Sequence, residues 1–213
     1  MLSEVLEITI RSITVSGAAT LLASLWGIPI AYSISRSQRL STILMPVFEA
    51  IVGLPTVLVG LILYILLSSR GPLGVLKLLY TPYAIVIGQA ILVTPLLVST
   101  SFRVLYHAQE VYGELALTLG ATDRQVMHLV LIESFPGLLA SMIMSFSRAL
   151  GELGVALMVG GNIRGYTRVI TTAIALEVSR GEFELALILG AILVAFLITF
   201  SLSLRVLRRM QAL

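Results

Sequence analysis

The feature that most constrains this chain is a set of five long apolar runs that carry almost no charge. A helix needs about 20 apolar residues to cross a lipid bilayer, and each run is at least that long. Inside them only Glu49, Arg148 and Glu152 are charged. The sequence therefore predicts about five transmembrane helices, over residues 12–35, 40–69, 78–102, 134–163 and 185–204.

Composition agrees with a membrane protein. Of the 213 residues, 58% are hydrophobic and only 12% are charged, whereas soluble domains carry about 25% charged residues. A soluble chain this apolar would expose large hydrophobic patches. We expect an all-α integral membrane protein with a single transmembrane domain over 1–213 and the lipid bilayer as its surroundings.

Charged and reactive residues exclude several classes of function. The cations are scattered with no basic run longer than two, so they indicate membrane anchoring and no nucleic-acid partner. Cysteine is absent, and aspartate occurs once. His107 and His128 have no partners at metal-ligand spacing, so we expect no metal site, no catalytic residue and no cofactor in this chain. A Gly-x4-Gly-Lys-Ser/Thr phosphate loop is also lacking.

The ends of the apolar runs bear on topology. Glu4 and Glu7 argue against a cleaved secretory signal, so we expect the first segment to be retained. The run 169–178 is too short to span and is expected to be interfacial or re-entrant. Prolines and glycines inside the runs predict kinked helices. Five spans place the termini on opposite sides, and the arginine-rich C-terminus favours an outside N-terminus and a cytoplasmic C-terminus.

A polar stretch over about 103–133 separates the third and fourth runs. Within it Gly120 can end a helix in the left-handed conformation. Thr122 with Gln125 three residues later predicts a capping box for the next helix. The stretch is therefore expected to form a helix, a sharp glycine turn and a second helix.

Two groups of polar residues in the fourth run are candidates for function. Arg148 and Glu152 are four residues apart and should share a helix face with Ser141 and Ser145, as a stripe that lines a water-filled path or a subunit interface. The pair could contact a passing anion or only fix helix packing. Gly160-Gly161-Asn162 could form a gate or a plain tight turn, and Glu49 could be an intramembrane site or lie near the inner mouth.

The polar stretch resembles the coupling loop of the permease subunits of ABC importers. Glu114-Leu115-Ala116, followed by Gly120, matches that family's Glu-Ala-Ala, three residues, Gly pattern, with Leu115 in place of an alanine and Glu133 where a proline is usual. The resemblance implies a short cytoplasmic coupling helix in a type I importer permease fold. The helix would dock on a separate ATPase subunit, with Glu114 pairing across the contact and Ala116 allowing close approach.

A second resemblance covers nearly the whole chain, and its assignment to one branch rests on the last third. Arg148-Ala-Leu-Gly-Glu152 with Gly154, then Gly161-Asn162-Ile163 with Gly165 and Thr167, resembles the permeases for molybdate, sulfate and tungstate, and Thr171-Thr172 is similar to the tungstate branch. The resemblance implies a homodimer in a prokaryotic cell membrane with two ABC ATPase subunits, which bind ATP and magnesium, and an extracytoplasmic oxyanion-binding protein. The residues expected along the path or gate are Ser145, Arg148, Glu152, Gly160, Gly161, Asn162 and Thr167.

Two other classes of function predict different sequence patterns. A secondary transporter that works alone predicts inverted repeats and more intramembrane charges. A membrane enzyme predicts clustered catalytic side chains. Neither pattern occurs in this sequence. A tungstate permease is therefore the favoured interpretation, with a molybdate or sulfate permease as the alternative.

Overall fold

The computed structural model describes residues 2–211, and the side chains of residues 3–202. The described part is helical and contains no β-strand. The predicted all-α fold is confirmed. The helices are α1 Leu2–Ser35, α2 Gln38–Val52, α3 Thr56–Leu67, α4 Pro82–Ala108, α5 Glu114–Thr118, α6 Asp123–Leu150, α7 Gly154–Gly160, α8 Ile170–Arg180 and α9 Phe183–Gln211. The arginines at 205, 208 and 209, which bore on orientation, have side chains outside the described residues.

Four of these helices are long and apolar enough to cross a membrane, namely α1, α4, α6 and α9, and the pair α2 and α3 makes a fifth candidate. The predicted number of spans is therefore confirmed. The helices α1 and α4 pack along each other, and α6 packs on α4, so these three form the centre of the molecule. In contrast, α9 is largely unburied within the chain, as expected for a helix that faces lipid or another subunit.

The second predicted span is not one straight helix. The chain bends by 93° between α2 and α3. The break falls at Gly53-Leu54-Pro55, and Pro55 directly precedes α3. Proline has no N–H to donate and restricts the residue before it, so the apolar run continues through the bend while the helix does not. Hydrophobicity alone predicted the length of this segment and missed its direction.

The fourth predicted span is also wrong in its bounds. The helix begins at Asp123 rather than at 134 and ends at Leu150. The remaining apolar residues form the separate short helix α7. The start was missed because polar residues interrupt the apolar ones in the first three turns of α6, namely Asp123, Arg124, Gln125, His128 and Glu133. The end was missed because Gly151 and the buried Glu152 interrupt an otherwise apolar run.

The short helix α7 packs closely against α3. A Cβ atom added at Gly154 would come within 2.6 Å of the Thr56 Oγ1 atom, and one added at Gly60 within 3.0 Å of the Met158 Cβ atom. Glycine at both positions lets the two backbones approach. This contact joins the bent α2–α3 segment to the polar residues that follow α6. The helix α8 packs instead on α9, as a short non-spanning element of 11 residues.

Candidate functional site

The predicted glycine turn forms after α5. Gly120 has a φ of +84°. Its N–H donates to the Leu117 carbonyl (3.0 Å), and the Ala121 N–H donates to the Ala116 carbonyl (3.0 Å). These two bonds define a Schellman motif, which satisfies the last carbonyls of a helix. A Cβ atom at Gly120 would meet no atom within 4 Å, so glycine is required here by backbone conformation and not by space.

Ala116 lies on the inner side of the turn. Its side chain is buried in the chain's own core, where Ala121 also packs. This is the hydrophobic contact that accompanies a Schellman motif. Ala116 therefore supports the turn from its inner side. Glu114 is exposed at the first residue of α5.

Three leucines give the turn an apolar outer surface that the sequence reasoning missed. Leu115, Leu117 and Leu119 are 58%, 51% and 80% exposed. Exposed leucines that group at the end of a helix form an apolar patch, and such patches indicate a surface that another protein covers. The signal in the sequence was the alternation of leucine with small residues over residues 115–120, inside a polar stretch. We call Leu115, Leu117 and Leu119 the turn leucines.

The turn is also fixed on its other side. The Gln125 Oε1 atom accepts from the Thr122 N–H at 2.8 Å, which is the reach-back expected of the predicted capping pair. Asp123, in the first turn of α6, forms an ion pair with Arg36 at 3.0 Å. This pair connects the start of α6 to the chain just after α1.

The predicted pair of Arg148 and Glu152 forms, although Glu152 lies beyond the end of α6. The Arg148 Nη1 atom lies 2.7 Å from Glu152 Oε2. The Glu152 Oε1 atom accepts from the Val155 N–H at 3.2 Å, and the Glu152 carbonyl accepts from the Thr171 hydroxyl at 2.8 Å. The Glu152 side chain is 2% exposed and that of Arg148 is 39% exposed. Glu152 therefore joins α6, α7 and α8, while part of the Arg148 side chain is exposed at the surface of the chain.

The rest of the predicted stripe does not line an open path in the single chain. Ser141 and Ser145 are buried, and each hydroxyl donates to a carbonyl of its own helix four residues earlier. Their polarity is thus satisfied inside α6. Within the single chain, Arg148 is the one of these four residues that is partly exposed. Glu49 is half-exposed and pairs with Arg103 at 2.9 Å.

The segment after α7 is a tight turn with two consecutive residues in the left-handed conformation. Gly161 has a φ of +69° and Asn162 a φ of +52°. The Thr167 hydroxyl donates to the Gly160 carbonyl (2.6 Å) and accepts from the Ile163 N–H (2.9 Å). The predicted residues Gly160, Gly161, Asn162 and Thr167 therefore come together in one structure. We call residues 161–168 the turn segment.

The beginning of α1 contacts the turn segment, which the sequence reasoning did not predict. The Glu4 carboxylate accepts two hydrogen bonds from Arg164, at 2.8 and 2.7 Å. Arg11 donates to the carbonyls of Gly165 (2.8 Å) and Arg168 (3.2 Å). The hydrogen bond with Glu4 raises the pKa of Arg164 above its ordinary value, so this pair stays ionised. Pairs about 160 residues apart leave no local pattern in a sequence.

The two groups of residues lie at opposite ends of α1. The start of α1 contacts the turn segment, whereas Arg36, just after its end, contacts Asp123 beside the Gly120 turn. A helix of 34 residues is about 51 Å long. This exceeds the hydrocarbon thickness of about 30 Å. The Gly120 turn and the turn segment therefore lie at opposite ends of a helix that is long enough to cross a membrane.

Comparison with known proteins gives consistent relatives. Residues 23–212 match the family described as "Binding-protein-dependent transport system inner membrane component". The chain is 39% identical over 201 residues to the tungstate uptake system permease protein TupB of Peptoclostridium acidaminophilum, covering 94% of this chain and 87% of the relative. It is 35% identical over 203 residues to a probable anion ABC transporter permease protein of Haloferax volcanii, covering 92% and 88%.

A TupB protein of Campylobacter jejuni is 37% identical over 164 residues, which cover 76% of this chain and 69% of the relative. Permeases named for sulfate and molybdenum transport match less closely. The match extends over most of the chain, including the Gly120 turn, the Arg148–Glu152 pair and the turn segment. The chain belongs to the binding-protein-dependent inner membrane components, the permease subunits of ABC importers with the type I fold, and within them to the oxyanion group.

Proposed function

We propose that this permease imports tungstate, driven by ATP hydrolysis on a separate subunit. The observation that carries the ATP-driven part is the Gly120 turn, which exposes the turn leucines at one end of the membrane-crossing helices. An apolar, well-capped turn of this kind suits the groove of a motor protein. Tungstate as the substrate is supported by relatives that bear this name at 39% and 37% identity. Molybdate or sulfate is the alternative.

The proposed assembly is a homodimer with two ABC ATPase subunits and an extracytoplasmic oxyanion-binding protein. ATP and magnesium would be bound by the ATPase subunits, and no cofactor by this chain. Support for a second copy comes from Arg148, which is partly exposed on the single chain and would face the path between two copies. The half-exposed Arg148 guanidinium beside the buried Glu152 carboxylate could contact an anion weakly, since the neighbouring acid offsets its charge.

The proposed orientation places the Gly120 turn in the cytoplasm, with the N-terminus outside and the C-terminus inside a prokaryotic cell membrane. On this orientation the turn segment lies towards the extracytoplasmic side. Closing of the ATPase dimer would pull on the turn leucines, and the long helices would carry that movement across the bilayer. The turn segment, with Gly161, Asn162 and Thr167, would act as the gate together with the adjoining Gly160.

The experiment is reconstitution of the chain with its cognate ABC ATPase and binding protein in liposomes. We expect ATP hydrolysis and anion uptake to be stimulated more by tungstate-loaded binding protein than by protein loaded with molybdate or sulfate. Stronger stimulation by molybdate or sulfate would contradict the substrate and leave the mechanism intact. Failure of an ATPase to associate would contradict the ATP-driven mechanism and favour a transporter that works alone.

A further inference from the structure

The contact between the start of α1 and the turn segment has a consequence for transport. Several hydrogen bonds converge there from residues far apart in the chain. Besides the bonds of Glu4 and Arg11, the Ser12 hydroxyl accepts from the Ile170 N–H at 2.8 Å. The middle of the turn segment, its last residue and Ile170 just after it are therefore attached to one face of α1. We call Glu4, Arg11 and Ser12 the α1 clamp.

The clamp reaches the left-handed turn itself through Arg168. This arginine is buried, and its Nη1 atom lies 3.6 Å from Glu4. Its Nε atom donates to the Asn162 side-chain oxygen at 3.2 Å. Asn162 holds a positive φ, a conformation that costs free energy for residues other than glycine. A continuous series of contacts therefore runs from Glu4 through Arg168 to Asn162, the non-glycine residue of the turn segment with a positive φ.

The charge and the free volume between α1 and the turn segment would allow the turn segment to move beside a passing anion. A cleft of about 400 Å³ separates α1 from the turn segment. Three arginines and two glutamates line it, Arg11, Arg164, Arg168, Glu4 and Glu7, which leaves one net positive charge. Exposed ion pairs contribute little to the stability of a fold. The Glu4–Arg164 pair, whose arginine is 73% exposed, therefore fixes the local shape of the turn segment more than it holds the protein together.

We propose that Glu4 and Arg11 are positioning residues for transport, which set the conformation of the turn segment from the start of α1. This inference rests on the proposed function for its effect on uptake, but its structural part stands alone. Arg11 supplies two charge-assisted hydrogen bonds to backbone carbonyls, and Glu4 supplies the bidentate bond to Arg164. Without them Asn162 and Gly165 would leave their left-handed conformations in a larger share of the molecules.

The first test measures uptake by the reconstituted complex at varied concentrations of tungstate-loaded binding protein. We expect Arg11→Met to lower the maximal rate about tenfold, in line with the loss of a charge-assisted hydrogen bond, and Glu4→Arg to lower it about threefold. Combining Glu4→Arg with Arg164→Glu should restore most of the rate. The binding-protein concentration at half-maximal rate should stay unchanged. Glu182→Gln is the matched control, because Glu182 is exposed near the same end and forms no ion pair within the described residues.

The second test measures the turn segment directly. The sequence has no cysteine, so Tyr166→Cys, at a position 47% exposed, accepts a single spin label in the assembled complex. We expect Arg11→Met and Glu4→Arg to increase the mobility of this label and the charge-reversed double variant to reverse the increase. If label mobility does not change, the positioning role is wrong whether or not the complex transports.

Two further outcomes separate the inference from other roles. A raised half-maximal concentration with an unchanged maximal rate would assign these residues to docking of the binding protein and overturn the inference. A lower yield of assembled complex with a normal rate per complex would assign them to folding alone and would also overturn it. Absence of any uptake by the unmodified complex, together with the expected label mobilities, would refute the proposed function and leave the positioning of the turn segment standing.

Discussion

Replacing Gly120 with valine is expected to abolish most ATP-driven uptake while leaving the membrane-spanning helices folded. Gly120 has a φ of +84°, and the left-handed conformation costs a residue with a Cβ atom about 1–2 kcal/mol. The Schellman bonds at Leu117 and Ala116 would be lost in the same molecules, and with them the placement of the turn leucines. We expect uptake to fall about tenfold or more, as this cost and the loss of the two bonds add.

Two control variants separate the effect of the position of Gly120 from the effect of left-handed backbone strain. Gly120→Asn should retain most uptake, because asparagine tolerates the left-handed conformation best after glycine. Gly181→Val imposes the same strain elsewhere, since Gly181 ends α8 with a φ of +82° and also has no atom within 4 Å of an added Cβ. It should lower thermal stability as Gly120→Val does and leave the anion imported per ATP hydrolysed unchanged. Equal losses of uptake in both valine variants would contradict a special role for the Gly120 turn.

Replacing Glu152 with alanine is expected to have the largest effect on stability. The change removes the partner of Arg148 and the side-chain cap of α7 at the Val155 N–H. Loss of a buried ion-pair partner costs about 3–5 kcal/mol, which we reduce to about 2–4 kcal/mol because Arg148 is partly exposed. The unfolding temperature in detergent should fall by about 5–15 °C.

The conservative variant Glu152→Gln separates these contributions. Glutamine keeps an oxygen for the Val155 N–H and loses the charge, so it should recover part of the lost stability. If the pair is coupled, Arg148→Met should cost less in the Glu152→Gln background than alone. The exposed Glu182→Ala serves as the control, with an expected change within about 0.5 kcal/mol. Additive effects of the Arg148 and Glu152 changes would contradict the pairing.

Patterns within one segment of the sequence predicted those features that depend mainly on residues of the same segment. The number of membrane-crossing segments followed from apolar length, and the Gly120 turn followed from a glycine beside Thr122 and Gln125. The i, i+4 spacing of Arg148 and Glu152 also predicted their contact. The last two of these features depend on residues within about one or two helical turns of each other.

Features that depend on distant partners could not be read in this way. Pro55 and Gly53 predict a kink before α3, but the direction of the 93° bend brings α3 against α7 at Gly60 and Gly154, and that contact joins separate parts of the chain. Burial of Ser141 and Ser145 and the inward direction of Ala116 depend on which face of a helix its neighbours cover. The α1 clamp joins residues about 160 positions apart, for which a single sequence carries no signal.

The central claim is that the Gly120 turn is the surface on which an ATPase acts, and site-specific photocrosslinking tests it most directly. In this cysteine-free chain, Leu119→Cys carries a photoreactive maleimide at a side chain that is 80% exposed, and Tyr166→Cys carries the same group at the opposite end of α1. In the reconstituted complex we predict that illumination joins Leu119→Cys to the ATPase subunit and Tyr166→Cys to no ATPase. Crosslinking of the ATPase at Tyr166→Cys, or its absence at Leu119→Cys in an assembled and active complex, would contradict the account.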